Sequence, residues 1–213
     1  MRNNLIDLLR FIAFILMVIH HFYYFNSKYK FLSNEIEIIG LISRTLFILL
    51  SGISINYRKD KNKKKSKQVF LYGLIISIIS NLLINEKETI FFGVLHFIGL
   101  SSLILDDDIK KVILVLVSSI IINNYMKNYI TNNILFLIFS GKIQNLIPLD
   151  TFQILEWLPL FCIGIILGSF IKQNNIDFNI NLNQLVKTVS KNSLDLYMIN
   201  IIVSLIWYKL YVL

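Results

Sequence analysis

Two adjacent histidines near the end of an apolar run, "LMVIHHFYYF" (16–25), are the first residues in this chain that suggest chemistry. An imidazole titrates near neutral pH, so His20 or His21 could take a proton, give one back or carry an acyl group. The third histidine, His96, lies in "FFGVLHFIGLS". The single cysteine, Cys162, excludes an intrachain disulfide or a cysteine metal cluster, and no metal site is expected.

Charged residues also lie within or beside apolar runs. Arg44 interrupts "ISRTLFILLSG", and Asp150 and Glu156 bracket the start of "DTFQILEWLPLF". Ionisable groups inside a membrane are costly and usually mark a functional site or a structural pair. These residues therefore join the histidines as candidates, provided that the apolar runs cross a bilayer.

Composition favours such a bilayer. Hydrophobic residues make up 55% of the 213-residue chain and charged residues 16%, and the mean hydropathy is +0.65. A hydrocarbon core of about 30 Å needs roughly 20 apolar helical residues. The predicted spans are Leu5–Tyr24, Ile36–Ile55, Val69–Ile84, Ile90–Leu105, Val112–Ile122, Phe152–Ile171 and Ser193–Val212.

The fold class predicted from these spans is an all-α integral membrane protein. It is a bundle of about seven transmembrane helices that forms a single domain over residues 1–213. The segment Ile134–Ile147 is too short to cross alone and is predicted to be a half-helix or a re-entrant piece.

Basic residues predict the orientation of the bundle. The segment "RKDKNKKKSK" holds seven Lys and Arg residues, and placing it in the cytoplasm puts 14 basic residues inside and six outside, with Arg44 within the membrane. The chain is thus predicted to be a multi-pass cell-membrane protein with a cytoplasmic N terminus. The same basic residues account for the net charge of +8, since they set the orientation and lie against anionic lipid. No nucleic acid partner is therefore expected.

Helix geometry separates the two adjacent histidines. Residues eleven apart on a helix point in nearly the same direction, so His21 shares a face with Arg10 and with Asp7. A charged stripe should face the interior of the bundle. His21 is therefore predicted to face inward, and His20 to lie at the headgroup level among tyrosines. Asp7 and Arg10 are interpreted as a pair that orients the helix.

These residues fit acyl transfer, the reaction that the family resemblance given next implies. A histidine could take the proton of an acceptor hydroxyl or amine, and Asp150 or Glu156 could fix its tautomer. Arg44, His96 or Asn81 could stabilise the oxyanion of the tetrahedral intermediate. No "GxSxG" motif is present, and both direct transfer and an acyl-histidine intermediate are open.

Five segments, taken in order, resemble one membrane family. They are "NLIDLLRFIAFILMVIHHF", "LFILLSGISI", "FFGVLHFIGLSSLIL", "DTFQILEWLPLFCIGIILG" and "VSKNSLDLYMINIIV". The chain resembles the prokaryotic branch of the heparan-alpha-glucosaminide N-acetyltransferase catalytic domain family, within the transmembrane acyltransferases. The resemblance implies transfer of an acyl group, most simply acetyl, from cytoplasmic acyl-CoA to a sugar hydroxyl or amine of an extracytoplasmic glycan.

The resemblance also implies site residues. His21, His96 and Asp150 match motif positions of the family and are predicted to be catalytic, and the tryptophan of the sixth-span motif is Trp157. Arg10 is followed by phenylalanine where the family has glycine. Prolines of the sixth-span motif are replaced by Gln153 and Glu156.

A further departure lies in the closing motif, where "SLDLYMIN" places Asn200 at a position that the family gives to histidine. The residues predicted to bind substrate are Arg10, Arg44, Asn81, Glu156, Trp157 and Asn200.

Two other classes of membrane protein are considered. A small transporter would also bring polar residues together near the middle of the bilayer, but no inverted repeat is visible. A non-catalytic membrane subunit would explain small-residue motifs such as "CIGIILGSF" but not the histidines. The expected partners are membrane lipid, acyl-CoA and the sugar acceptor, and a homodimer is left open.

Overall fold

The computed structural model describes residues 3–26, 34–58, 63–84, 89–126, 139, 152–176 and 180–211. All of the regular structure in these ranges is helical, as the sequence predicts. The helices, in chain order, are α1 (Asn4–Asn26), α2 (Asn34–Ile55), α3 (Lys64–Leu83), α4 (Val94–Ile104), α5 (Ile109–Met126), α6 (Ile154–Gln173), α7 (Gln184–Lys191) and α8 (Ser193–Tyr211).

Six of these helices, α1, α2, α3, α5, α6 and α8, are long and apolar enough to cross a membrane. They correspond to six of the seven predicted spans, and the chain is a multi-pass membrane protein. The predicted half-helix at Ile134–Ile147 lies outside the described residues, apart from Phe139. The structure of the one other predicted span, Ile90–Leu105, differs from the prediction.

The fourth predicted span is a short helix preceded by extended chain. Helix α4 has 11 residues, about 16 Å of rise, which is roughly half the thickness of a hydrocarbon core. Before it, the backbone at Phe92 accepts a hydrogen bond from the backbone N–H of Phe152 at 2.7 Å. Such non-helical backbone is tolerated in a membrane where protein surrounds it, and Ile90, Phe92 and Gly93 are buried.

Two serines of α3 satisfy the backbone of this extended segment. The Ser80 hydroxyl oxygen accepts a hydrogen bond from the Ile90 backbone N–H at 3.1 Å, and the Ser77 hydroxyl donates one to the Ile90 carbonyl at 2.6 Å. Unpaired backbone groups cost several kcal/mol in hydrocarbon, so these serines stabilise the break before α4.

The bundle is arranged around α1 and α2. Helix α1 packs against α2, α7 and α8, while α2 also packs against α6, and α3 packs against α4 and α8. Gly52 of α2 and Gly164 of α6 bring the backbones of these two helices together, since a Cβ at Gly164 would lie 2.4 Å from the carbonyl oxygen of Leu49. This contact fixes α6 against the helix that carries Arg44.

At one end of the bundle, basic side chains bind the last carbonyls of α4. Arg58 Nη1 donates to the Ser102 carbonyl at 3.2 Å, and Lys63 Nζ donates to the Leu103 carbonyl at 2.6 Å. Cations are favourable at the C-terminal end of a helix, where carbonyls have no intrahelical partner. Part of the basic segment, which the sequence analysis used only to predict orientation, therefore stabilises the fold.

Near this end Asp7 is buried and connects α1 with α7. Its Oδ1 atom accepts a hydrogen bond from the Ser190 hydroxyl at 2.7 Å and lies 3.5 Å from Arg10 Nη1. Arg10 also donates to Ser54 Oγ of α2 at 2.5 Å. These contacts join three helices, which confirms the prediction that Asp7 and Arg10 form a pair.

Candidate active site

A cavity of about 710 Å³ opens at the end of the bundle where α1 ends and α2 begins, which we call the cavity end. Helices α1, α2 and α8 form most of its wall, and the segment before α4 and the start of α6 complete it. Its lining residues are Met17, His20, His21, Tyr24, Phe25, Asn34, Glu37, Ile38, Gly40, Leu41, Ser43, Arg44, Phe47, Ile90, Val94, Phe152, Tyr197 and Ile201.

His21 lies at the boundary between α1 and α8 in this cavity. Its Nδ1 atom is 2.7 Å from Oδ1 of Asn200, and its ring packs edge-on against Phe25 and Tyr197. An amide oxygen can only accept a hydrogen bond, so this contact places the proton on Nδ1 and the lone pair on Nε2. Within the described part of the chain, Nε2 has no hydrogen-bond partner.

His20 lines the same cavity, which differs from the sequence prediction. Its ring stacks on Tyr24, with centroids 5.6 Å apart, and lies against Gly40 of α2, where an added Cβ would come within 2.4 Å of Cδ2. The face of a helix turned toward its neighbours is more than 100° wide, so adjacent residues can both border one space. His20 faces α2, His21 faces α8, and their ring centroids are 5.9 Å apart.

Arg44 supplies the positive charge of the cavity wall. It lies about halfway along α2 and its Nε atom donates to the Gly40 carbonyl at 3.3 Å. The two Nη atoms have no protein partner among the described residues, although a guanidinium group offers five N–H donors. A charge at this depth is expected to face a cavity that holds water or an anionic group.

His96 is not brought to the cavity with His21. Its Nδ1 atom accepts a hydrogen bond from the Gly93 backbone N–H at 3.2 Å, and its Nε2 atom lies 3.3 Å from Ser77 Oγ. The first contact caps the start of α4, and Ile90 and Val94 separate the ring from the cavity. Both ring nitrogens are occupied by the fold, so this position does not support the predicted catalytic role of His96.

Gly99, which follows His96 in "FFGVLHFIGLS", has a packing role. A Cβ at Gly99 would lie 2.6 Å from backbone atoms of Phe70, so this glycine lets α3 and α4 pack closely.

The other predicted site residues are dispersed. Asp150 lies outside the described residues. Asn81 and Glu156 are exposed and do not line the cavity, and Trp157 packs against Phe152, a cavity residue, with ring centroids 5.4 Å apart. Arg10 is held by Asp7 and Ser54 at the opposite end of the bundle.

Of the nine predicted site residues, the structure assembles three: His21, Arg44 and Asn200. The partner of His21 is Asn200, because α8 lies beside α1. Of the two predicted partners, Glu156 does not line the cavity and Asp150 lies outside the described residues. Sequence reasoning missed His20 and Gly40. The signal for His20 was present, because residues 17, 20, 21, 24 and 25 follow the spacing of one broad helix face.

The fold and the cavity define a class of protein: a multi-pass helical membrane protein with a cavity at one end. Two imidazoles line this cavity, together with a guanidinium that has no ion-pair partner among the described residues. A comparison with protein families identifies the family. The model of the heparan-alpha-glucosaminide N-acetyltransferase catalytic domain matches residues 2–202, and the chain belongs to that family. Membership supports a membrane acetyltransferase in general. Comparisons with curated proteins and with solved structures gave no match.

Proposed function

We propose that this protein transfers an acyl group, most simply acetyl, from acyl-CoA in the cytoplasm to a hydroxyl or amine of a sugar on the far side of the membrane. His21 is the reacting imidazole, Asn200 positions it, and Arg44 stabilises the negative charge that develops on the acyl oxygen. Family membership supports the acyl transfer, and the geometry of the cavity supports these roles.

The observation that carries the proposal is the pairing of His21 with Asn200. A neutral imidazole can act as a base or a nucleophile only at the nitrogen that bears the lone pair. The Asn200 oxygen selects the tautomer with that lone pair on Nε2. The same division of labour, in which one group fixes the far nitrogen of a histidine, operates in hydrolases that use a triad.

Arg44 is suited to the charge that develops during transfer. When a thioester is attacked, its carbonyl oxygen becomes an oxyanion, and donors fixed in a site that excludes water stabilise it. The guanidinium lines the cavity with His21, and its Nη donors have no competing protein acceptor in the described ranges. Such a donor typically contributes 10²–10³-fold in rate.

The donor is proposed to enter from the end opposite the cavity. Lys64 and Lys67 are exposed there, beside the Arg58–Lys63 cap of α4, and can meet the phosphates of acyl-CoA. Arg10 and His21 are about 16 Å apart along α1, a distance that the pantetheine arm would have to cover. The sugar would then enter from the cavity end, where the wall also holds Glu37 and Asn34.

The test uses proteoliposomes that hold [¹⁴C]acetyl-CoA on one side and a sugar acceptor, glucosamine or methyl glucoside, on the other. Radioactive acetyl sugar on the acceptor side, without CoA on that side, is the expected result. A His21→Gln variant reconstituted at the same density is the control and should lose at least roughly 10²-fold in rate. Flux of intact glucosamine without acetylation would instead indicate a transporter and contradict the proposal.

A further inference from the structure

The tautomer of His21 implies a second reacting group in the cavity. If Nε2 carries the acyl group and Nδ1 carries the proton bound by Asn200, the ring has no lone pair left. An acceptor hydroxyl or amine must nevertheless lose a proton as it attacks. A second base is therefore required in the cavity whenever His21 is the acyl carrier.

The titratable and charged side chains that line the cavity are few. From α1 they are His20, His21 and Tyr24, from α2 Glu37 and Arg44, and from α8 Tyr197. The segment before α4 and the start of α6 contribute apolar side chains. Among these groups His20 is the one imidazole besides His21, and its ring lies directly beside that of His21.

The setting of His20 suits a base that waits for a substrate. Neither ring nitrogen has a hydrogen-bond partner among the described residues, whereas His96 has both nitrogens occupied. The ring is held by stacking on Tyr24 and by contact with Gly40, so its position is fixed without using a nitrogen. Both imidazoles line the cavity and their ring centroids are 5.9 Å apart, so one acceptor bound in the cavity could contact both rings.

We propose that His20 is the base that takes the proton of the acceptor, while His21 carries the acyl group. This inference rests on the proposed function and adds a second catalytic residue to it. First, Nε2 of His21 attacks the acyl carbon, the carbon–sulfur bond breaks, and CoA leaves as a thiolate.

In the second step the acceptor heteroatom bonds to the acyl carbon and its proton passes to a ring nitrogen of His20. The carbon–nitrogen bond breaks and its electron pair returns to Nε2 of His21. The His20 imidazolium then gives its proton to solvent, which balances the proton that the CoA thiolate takes up.

The two half-reactions can be measured separately in detergent. Protein is mixed with [¹⁴C]acetyl-CoA alone, acetyl-protein is counted, and the label is then chased with whichever sugar, glucosamine or methyl glucoside, the wild-type protein acetylates. For His20→Gln we expect normal acetyl-protein formation but a chase at least roughly 10²-fold slower than wild type. Phe22→Ala, at an exposed position on α1, is the matched control and should chase at the wild-type rate.

Two further comparisons separate a base from a merely structural residue. Hydroxylamine attacks an acyl-imidazole without the help of a base. It should therefore remove the acetyl group from His21 of the His20→Gln variant at nearly the wild-type rate. Gly40→Ala keeps the imidazole of His20 but must displace its ring, since the new Cβ would lie 2.4 Å from Cδ2 of His20. This variant should also slow the sugar chase while it leaves acetyl-protein formation intact.

A sugar chase of His20→Gln at the wild-type rate would overturn the assignment of His20 and leave the proposed function standing. The same conclusion follows if Glu37→Gln, and not His20→Gln, is the variant that fails to transfer the acetyl label to the sugar. Transfer without any acetyl-protein in the wild type would overturn the carrier role of His21, and with it this inference. Failure of the wild type to acetylate either sugar would contradict the proposed function itself.

Discussion

At the scale of single residues, the pairing of His21 with Asn200 distinguishes this site from a chance pair of polar groups in a membrane. The amide oxygen of Asn200 lies 2.7 Å from Nδ1 of His21. The family pattern that the chain resembles has histidine at position 200. An asparagine accepts through its amide oxygen without titrating. The chain can therefore fix the His21 tautomer across a wide pH range.

Substitution of Asn200 should separate positioning from packing. Asn200→Leu keeps the volume but loses the acceptor, so both tautomers of His21 become populated and kcat should fall by at least roughly tenfold. Asn200→Asp retains an oxygen acceptor and should recover most of that loss, with little change in KM for acetyl-CoA. Steady-state kinetics of the two variants provide the comparison, and equal loss in both would assign Asn200 to packing alone.

How far the site could be predicted from the sequence depends on which helices are neighbours. The inward position of His21 followed from the helical spacing with Arg10, and Arg44 followed from its charge in an apolar run. The helical spacing allowed an inward His20 but did not require one, because a helix pattern gives the direction of a side chain and not the width of the space it meets. The partner of His21 depended on the contact of α1 with α8, which no local pattern encodes.

At the scale of elements, the break before α4 is the feature that the hydropathy pattern concealed. The run from 90 to 105 is mostly apolar, yet only 94–104 is helical. The half-buried Ser77 of α3 donates a hydrogen bond to the non-helical backbone, and the buried Ser80 accepts one from it. Hydropathy predicted the other six spans because each has to satisfy its backbone internally in lipid.

His96 should affect stability more than turnover. In His96→Leu the Gly93 N–H loses its acceptor, which typically costs about 1–3 kcal/mol for a buried group. The melting temperature in detergent should therefore fall, while the transfer rate per folded molecule stays within severalfold of wild type. A 10²-fold loss of rate with an unchanged melting temperature would support instead the chemical role that the sequence suggested.

At the scale of the whole molecule, the two ends of the bundle have different chemistry. One end holds the cavity with His20, His21 and Arg44, and the other holds Lys63 and Arg58 against the end of α4. Separation of this kind is what transfer across a membrane requires, because donor and acceptor must approach from opposite sides.

Cysteine labelling tests the proposed orientation. Cys162 is fully buried, so a cysteine placed at the exposed Lys64 should be the main reactive thiol in that variant. Membrane-impermeant maleimide should label Lys64→Cys only in inverted vesicles, and Lys28→Cys in intact cells. The reason is the excess of basic residues expected on the cytoplasmic side. Labelling of Lys64→Cys in intact cells would contradict the proposed orientation and, with it, the proposed direction of transfer.

The most direct test of the account is single-turnover acetyl transfer by His21→Ala beside wild type, with thermal stability measured in parallel. The account predicts a loss of roughly 10²–10⁴-fold in the His21→Ala rate, because the reacting nitrogen is removed, with a melting temperature close to that of wild type. A stable His21→Ala protein that transfers acetyl at the wild-type rate would contradict the central claim that His21 performs the chemistry.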